Sequence, residues 1–262
     1  MPVKVLFISD IVGKPGRQAV SMQLHRLVDY YSIDTVIANG ENAAGGFGIT
    51  EDVAKELYEH GIHVITSGNH IWDKRDSYEF IAREERLVRP ANYPQGAPGR
   101  GSALITTPAG VKVAVLNLEG RAFMNNLECP FRTADREIAR LREITPLIFV
   151  DFHAEATSEK LAFGWYLNGR ASAVVGTHTH VQTADERVLP GGTAYITDAG
   201  MTGSFDSVIG MKKELAIEKF LSQLPVRFEV AKKDIRLNAL VIEIDHDSGK
   251  ALGIERLTIQ CA

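Results

Sequence analysis

VKVLFISD, residues 3–10, is a short β-rich apolar run that stops at an aspartate. An apolar run of this length is typical of a buried strand. The next segment, residues 11–16, contains two glycines and a proline and is predicted to be a loop. Helical spacing of apolar residues then predicts a helix over residues 17–30, with Val20, Leu24, Leu27 and Val28 on one face. A strand, a polar loop and a helix in this order indicate a layered α/β protein.

The remaining elements follow from apolar runs, helical spacing and turn residues. Thr50 is placed to cap one helix and Gly61 to end it. The chain shows no internal repeat or linker, so residues 1–262 are predicted to form a single domain. The predicted helices are residues 51–60, 133–143, 157–167 and 214–224. The predicted strands are residues 35–38, 62–66, 102–107, 111–118, 146–152, 171–176, 193–197, 226–230, 237–244 and 251–259.

Composition narrows the class of protein. The 262 residues are 45% hydrophobic and 24% charged, which is ordinary for a globular protein. A net charge of −4 argues against a broad nucleic-acid or membrane surface but allows a small phosphorylated substrate. The apolar start of the chain is too short for a signal peptide or a membrane span. With only Cys129 and Cys261, we expect reduced thiols, a cytoplasmic location and no membrane partner.

Metal-ligand residue types follow five separate strand-like runs. Taken singly each is a weak signal, since aspartate often serves turns and paired histidines are common in loops. Together they supply two carboxylates, two amides and three imidazoles, and the carboxyl ends of strands are where such proteins bind ligands. This inventory suffices for two metal ions, which typically lie about 3.5–4 Å apart and share a bridging ligand. The predicted ligands are Asp10, Glu41, Asn42, Asn69, His153, His178 and His180.

Local spacing suggests how two ions could be shared. In extended backbone, His178 and His180 would point to the same face and address two neighbouring ions. Glu41 lies between a strand and a glycine-rich loop, where its carboxylate could bridge those ions. Glycines at positions 40, 45, 46 and 48 would let the backbone approach the metals and a phosphate closely.

His70 follows a predicted ligand and is a candidate general acid, because imidazole can donate a proton to a leaving oxygen near neutral pH. The alternative is that His70 only supports a neighbouring carboxylate through a hydrogen bond. The other histidines do not follow strands in this way, and we assign them ordinary helix-end, core or surface roles: His25, His60, His63 and His246.

With these residues the sequence resembles the calcineurin-like metallophosphoesterase superfamily, and more closely its YmdB-like branch of bacterial phosphodiesterases. The resemblance spans most of the chain. The matching segments are residues 8–13 (ISDIVG), 39–46 (NGENAAGG), 67–73 (SGNHIWD), 151–155 (DFHAE), 176–180 (GTHTH) and 197–203 (TDAGMTG).

The sequence departs from the superfamily pattern in two places. The usual Asp-x-His is Asp10-Ile11-Val12 here, and the usual Gly-Asp is Gly40-Glu41. The YmdB-like resemblance implies that Asn42 replaces the missing histidine and that His70 is the proton donor. It also implies a four-layer α/β/β/α sandwich with the calcineurin-like metallophosphoesterase fold. The implied ligands are Asp10, Glu41, Asn42 and His180 for metal one, and Glu41, Asn69, His153 and His178 for metal two.

The expected function is phosphodiester hydrolysis, and the resemblance implies 2′,3′- or 3′,5′-cyclic nucleotides as substrates. Two metal ions would lower the pKa of a bridging water and provide hydroxide for attack. A mixed oxygen and imidazole ligand set without thiolate suits iron, manganese or zinc, and the resemblance favours iron or manganese. Two alternatives stay open: a phosphomonoesterase using the same site, or a regulatory protein that binds a nucleotide or RNA. The apolar pair Phe123-Met124 leaves a homo-oligomer possible.

Overall fold

A computed structural model of the chain describes residues 2–261, which contain two β-sheets and six α-helices. The helices are α1 (Gly13–Tyr31), α2 (Glu51–Glu59), α3 (Tyr78–Arg83), α4 (Pro130–Arg142), α5 (Thr157–Tyr166) and α6 (Lys213–Ser222). The strands are β1 (Pro2–Ile8), β2 (Asp10–Ile11), β3 (Thr35–Asn39), β4 (Val64–Thr66), β5 (Ser102–Thr106), β6 (Lys112–Glu119), β7 (Ile148–His153), β8 (Ala173–Thr177), β9 (Arg187–Val188), β10 (Ala194–Ile196), β11 (Met201–Ser204), β12 (Ile235–Asp245) and β13 (Ala251–Gln260). Short 3₁₀ helices cover Asn69–Trp72 and Arg75–Ser77.

In each sheet, the strands that precede the predicted metal ligands run parallel to one another. The first sheet has the order β2-β11-β12-β1-β3-β4, with β13 paired to β12, and its β1, β3 and β4 are parallel. The second sheet has the order β5-β6-β7-β8-β10-β9, and its β6, β7, β8 and β10 are parallel. The carboxyl ends of neighbouring parallel strands therefore emerge at one end of each sheet.

Side chains alternate between the two faces of each strand, and this alternation produces the layers of the fold. On β1, Leu6 and Ile8 pack with α1 and α2, whereas Val5 and Phe7 face the second sheet. The Phe7 ring lies 5.2 Å from the ring of Phe149 on β7, so the two sheets are in direct contact. Burial of one such side chain contributes about 1.5–3 kcal/mol.

The second sheet repeats this alternation on β6. Val113 and Val115 face the first sheet, whereas Ala114 and Leu116 pack with α4 and α5. The central strands of each sheet are thus covered on both faces, which explains why β1 and β6 read as apolar runs. The predicted four-layer α/β/β/α sandwich is confirmed.

The predicted loop over residues 11–16 was wrong except at Val12, because Ile11 ends β2 and α1 begins at Gly13. Pro15 is tolerated there since the first turn of a helix needs no donor from that residue. Gly16 brings α1 against β11: an added Cβ would lie 2.4 Å from the Thr202 carbonyl oxygen. Gly16, which had indicated a loop, instead lies where α1 contacts the sheet.

The predicted strand over residues 226–230 was also wrong. Only Val230 pairs, in an isolated bridge to Met211, because the segment lies beside α6 and outside both sheets. No sequence pattern had indicated α3 or β11, which are six and four residues long. With six residues, α3 is shorter than the window over which a helical period can be recognised.

The predicted cap and end of α2 are confirmed. The Thr50 hydroxyl accepts a hydrogen bond from the Val53 amide at the start of α2, and Gly61 adopts a φ of 104° after its end. Cys129 and Cys261 are both free. Among residues 2–261, no helix combines the length and the apolar character that a bilayer crossing requires.

Candidate metal centre

The carboxyl ends of the two sheets meet at one end of the sandwich, and the structure brings all seven predicted ligands together there. The first sheet contributes the side chains that follow β1, β3 and β4, and the second sheet those at the ends of β7 and β8. Segments that are distant in the sequence thus contribute the seven side chains, which are Asp10, Glu41, Asn42, Asn69, His153, His178 and His180.

Four of these side chains form the first cluster, which is the set implied for metal one. The Asn42 amide nitrogen Nδ2 lies 3.2 Å from Asp10 Oδ1, 3.0 Å from Glu41 Oε1 and 3.2 Å from His180 Nε2. A half-turn of the amide would exchange Nδ2 for Oδ1, the atom that binds a cation. His180 Nε2 lies 3.5 Å from Asp10 Oδ2.

The second cluster is the set implied for metal two. His153 Nε2 lies 3.0 Å from Asn69 Oδ1, 3.1 Å from Glu41 Oε2 and 3.0 Å from His178 Nδ1. Glu41 therefore presents one carboxylate oxygen to each cluster. This is the position that the sequence had predicted for a bridging ligand.

Gly68 makes room for this arrangement. A Cβ added to Gly68 would lie 2.2 Å from His153 Cδ2 and 2.3 Å from Glu41 Oε2. The φ of Gly68 is −162°, which any residue can adopt. The requirement for glycine is therefore steric, since a side chain would occupy the space of the second cluster.

The residues present fit a pair of metal ions. Asp10 Oδ2 is buried and has no hydrogen-bond partner among residues 2–261, a costly state for a carboxylate oxygen that a cation would relieve. Ligand atoms of Glu41, His153 and His178 lie within 4.8 Å of one another, and so do those of Asp10, Glu41 and His180. Oxygen and imidazole donors without thiolate suit iron, manganese and zinc alike.

Hydrogen bonds fix which ring nitrogen of His153 and of His180 faces the clusters. The Thr177 hydroxyl donates to Asp151 Oδ1 at 2.7 Å, so it accepts from His153 Nδ1 at 2.9 Å. His180 Nδ1 donates to the Ile209 carbonyl at 2.9 Å. In both rings Nε2 is left for a metal, the tautomer that such outer partners usually select.

The loop that carries His178 and His180 differs from the prediction. Their φ angles are 100° and 65°, so the backbone is left-handed rather than extended. The two rings do address different clusters, but through this turn. Asp198 holds it by accepting from the Thr179 amide at 3.1 Å, while buried Lys160 donates to Asp198 at 2.6 Å.

Opposite charges within the clusters shift the pKa values of the carboxylates and imidazoles. Burial opposes ionisation of Asp10, but the imidazoles, above all His180, outweigh it and lower its pKa to about 2. Burial acts to lower the pKa values of His153 and His180, but the carboxylates of Glu41 and Asp10 raise them to about 9 and about 8. Burial and the charge of His153 lower the pKa of His178 to about 4. Ligand imidazoles must be deprotonated, so metal binding at neutral pH would displace protons from this site.

His70 lies at the rim of the centre. Its Nδ1 is 2.8 Å from Asp73 Oδ2, its backbone amide donates to Glu41 Oε2 at 3.4 Å, and its ring centre is 5.1 Å from that of Phe47. The side chain is 29% exposed and lines the cavity that adjoins the metal centre. Both predicted roles, proton donor and support, are compatible with this placement.

The family follows from comparison with known proteins. A family model described as "YmdB-like protein" matches residues 6–257. The chain belongs to the YmdB-like family. It is 52% identical to a Bacillus subtilis protein named 2′,3′-cyclic-nucleotide 2′-phosphodiesterase, over 98% of this chain and 97% of that protein.

Two solved structures extend the comparison for this YmdB-like chain. A hypothetical protein from Thermus thermophilus has a TM-score of 0.92 and 41% identity, over 98% of this chain and 99% of that one. A protein described as a novel phosphatase, from Mycoplasma pneumoniae, has a TM-score of 0.93 and 35% identity, over 99% and 94%. The expected calcineurin-like metallophosphoesterase fold is thereby confirmed.

The sequence reasoning missed the residues that support the predicted ligands in this YmdB-like chain. Asp151 is buried, accepts hydrogen bonds from Asn39, Thr66 and Thr177, and has its pKa raised by burial to about 6. A carboxylate inside the apolar run IFVDFH was a usable signal, because unpaired charges are rarely buried. Asp198 directly follows the predicted strand over residues 193–197, which was a usable signal, but no role was assigned to it. Nothing local indicated Lys160.

The remaining histidines lie outside the two clusters, as predicted. His25 is exposed on α1, and His60 lies at the end of α2. His63 accepts a hydrogen bond from the Val36 amide. His246 lies beside Asp247 at the turn between β12 and β13.

Replacing Thr177 by valine tests the support of His153. Valine keeps the shape but removes the hydroxyl that links His153 Nδ1 to Asp151. We expect metal affinity to fall by about 10–100-fold, the usual effect of losing such an outer partner. The measurement is metal retention against increasing chelator, followed by elemental analysis. Thr157→Val, at an exposed position on α5, is the matched control, and equal retention by both variants would contradict the expected role.

Proposed function

We propose that the protein is a dinuclear metal-dependent phosphodiesterase that hydrolyses cyclic nucleotides, with His70 as the proton donor. The observation that carries this proposal is the position of Glu41, whose two carboxylate oxygens belong to two separate donor clusters beside a cavity. The name of the Bacillus subtilis relative supports a 2′,3′-cyclic substrate.

The proposed ligands are Asp10, Glu41, Asn42 and His180 for one ion, and Glu41, Asn69, His153 and His178 for the other. Bound there, two cations supply a water of lowered pKa and stabilise the charge that develops on the phosphate. Iron or manganese is our proposal for their identity, and zinc is also compatible with the donors.

Residues of the chain itself account for the proton that the departing sugar oxygen needs. Asp73 accepts a hydrogen bond from His70 Nδ1 and so fixes the ring, which leaves Nε2 to deliver a proton to the departing sugar oxygen. The edge contact with Phe47 limits tilting of the same ring. His70 is thus held by two neighbours at the boundary between the metal centre and the cavity.

A phosphomonoesterase is the second candidate, favoured by the Mycoplasma pneumoniae structure that is described as a phosphatase. A regulatory protein that binds nucleotide or RNA, and a homo-oligomer, stay predictions from the sequence. A single domain and a cytoplasmic location form part of the present proposal. Residues 1 and 262 lie outside the described structure.

The proposed function is tested with purified protein loaded in turn with iron, manganese and zinc. We expect 2′,3′-cyclic nucleotides to be opened to 3′-monophosphates, and bis-nitrophenyl phosphate to be hydrolysed faster than nitrophenyl phosphate. Hydrolysis of monoesters alone would favour the phosphomonoesterase. Tight nucleotide binding without turnover under every metal would favour the regulatory protein.

A further inference from the structure

A cavity of about 260 Å³ adjoins the metal centre. Its lining includes the proposed ligands Glu41 and His180 and the proposed proton donor His70. The rest of the lining is mostly apolar and includes Phe47, Met211, Phe220 and Phe228. A molecule whose phosphate reached the metals would therefore place its remaining part against these aromatic and aliphatic side chains.

Several of these apolar side chains are exposed to solvent. Phe220 is 74% exposed, Ile209 52% and Phe228 38%. Clustered exposure of this kind marks a binding surface more often than isolated exposed residues do. Because these side chains line the same cavity as the proposed ligands, the expected occupant is part of the substrate.

The loop between β11 and α6 joins this apolar lining to the metal centre. The Ile209 carbonyl accepts the hydrogen bond that orients His180, while the Ile209 side chain lines the cavity. Ile209 has a φ of 47°, an unusual conformation for a β-branched residue. One residue thus fixes a proposed ligand and shapes the adjoining cavity.

The chemistry of the lining limits what it can recognise. Beyond the metal ligands and His70, Lys219 supplies the side-chain hydrogen-bonding group among the described residues of the cavity. A nucleobase has an aromatic face that can stack on phenylalanine whatever its edge carries. Discrimination between bases requires both donors and acceptors placed along that edge, and Lys219 offers donors but no acceptor.

We propose that this cavity is a nucleobase subsite, in which Phe220 and its aromatic neighbours stack on the base without selecting among bases. The proposal rests on the proposed function. It predicts that efficient hydrolysis requires a base on the cyclic phosphate, whereas the identity of that base has little effect.

The test compares kcat/KM for the four 2′,3′-cyclic nucleotides with that for glycerol 1,2-cyclic phosphate, which has the same five-membered diester and no base. We expect the four nucleotides to agree within about tenfold, because stacking tolerates any base. We expect each to exceed the base-free diester by about 5–150-fold, the range that stacking of one base supplies.

Phe220→Ala should reduce the ratio of nucleotide to base-free kcat/KM by about fivefold or more, by loss of the stacking ring. Phe220→Tyr keeps the ring and should keep the ratio. Leu221→Ala is the matched control, because Leu221 is the next residue of α6, is 82% exposed and is not part of the cavity lining. An unchanged ratio in Phe220→Ala would overturn the proposal.

Other results separate the subsite from the function. If the base-free diester is hydrolysed as fast as the nucleotides, the subsite is wrong and the phosphodiesterase stands. If no diester is hydrolysed, binding of adenosine 3′-monophosphate against inorganic phosphate still decides: equal affinities would overturn the subsite, and tighter nucleotide binding that Phe220→Ala weakens would support it. A change of oligomeric state in Phe220→Ala with an unchanged ratio would assign this surface to a second copy of the chain and overturn the proposal.

Discussion

Glu41→Gln is expected to lower kcat/KM for a 2′,3′-cyclic nucleotide by about a thousandfold or more. The amide removes a negative charge and replaces one carboxylate oxygen by an NH₂ group, which cannot bind a cation. Since Glu41 offers one oxygen to each cluster, this single change affects both metal positions. Metal-ion catalysis supplies several kcal/mol of stabilisation, and a loss of about 4 kcal/mol corresponds to that thousandfold.

Metal content and turnover are measured together on Glu41→Gln. Metal bound per chain should fall along with activity, and excess metal should restore little of it. Glu59→Gln, an exposed change on α2, is the matched control and should behave like the unmodified protein. Full metal content with normal turnover in Glu41→Gln would refute the bridging role.

His70→Asn is expected to lower kcat by about 10²–10⁴-fold, the usual contribution of a general acid, while metal content stays unchanged. The alkoxide of a sugar is a poor leaving group and needs the proton that His70 would supply. Nitrophenolate leaves readily without one. The loss should therefore be much smaller for bis-nitrophenyl phosphate than for a cyclic nucleotide.

This dependence on the leaving group separates the two roles predicted for His70. A ring that served only as support, through its hydrogen bond with Asp73, would affect both substrates alike or lower the metal content when it is replaced. His25→Asn, at an exposed position on α1, is the matched control. Equal losses on the two substrates would contradict the proton-donor role.

The local sequence pattern was sufficient to predict an element where the deciding residues act within that element. The run from residue 3 to Asp10 identified β1. Its side chains alternate between two faces of the sheet that are both covered, so the strand is apolar throughout. Thr50 identified the start of α2 because a cap acts within one turn. Pattern failed at Gly13 to Gly16, where glycine serves a contact with β11 that is distant in the sequence.

By itself, the sequence determined which residue types end the strands, and hence the donor set and the class of chemistry. The tertiary structure decided how those residues combine: Asn42 meets His180, 138 positions later, and Asp151 reaches His153 through Thr177. It also decided the left-handed turn at His178 and His180, which Asp198 holds from another segment. The physical reason is that each contact joins segments that are distant in the sequence. The contact between Asn42 and His180 depends on how one sheet packs on the other, whereas those made by Asp151 and Asp198 depend on the order of strands within the second sheet.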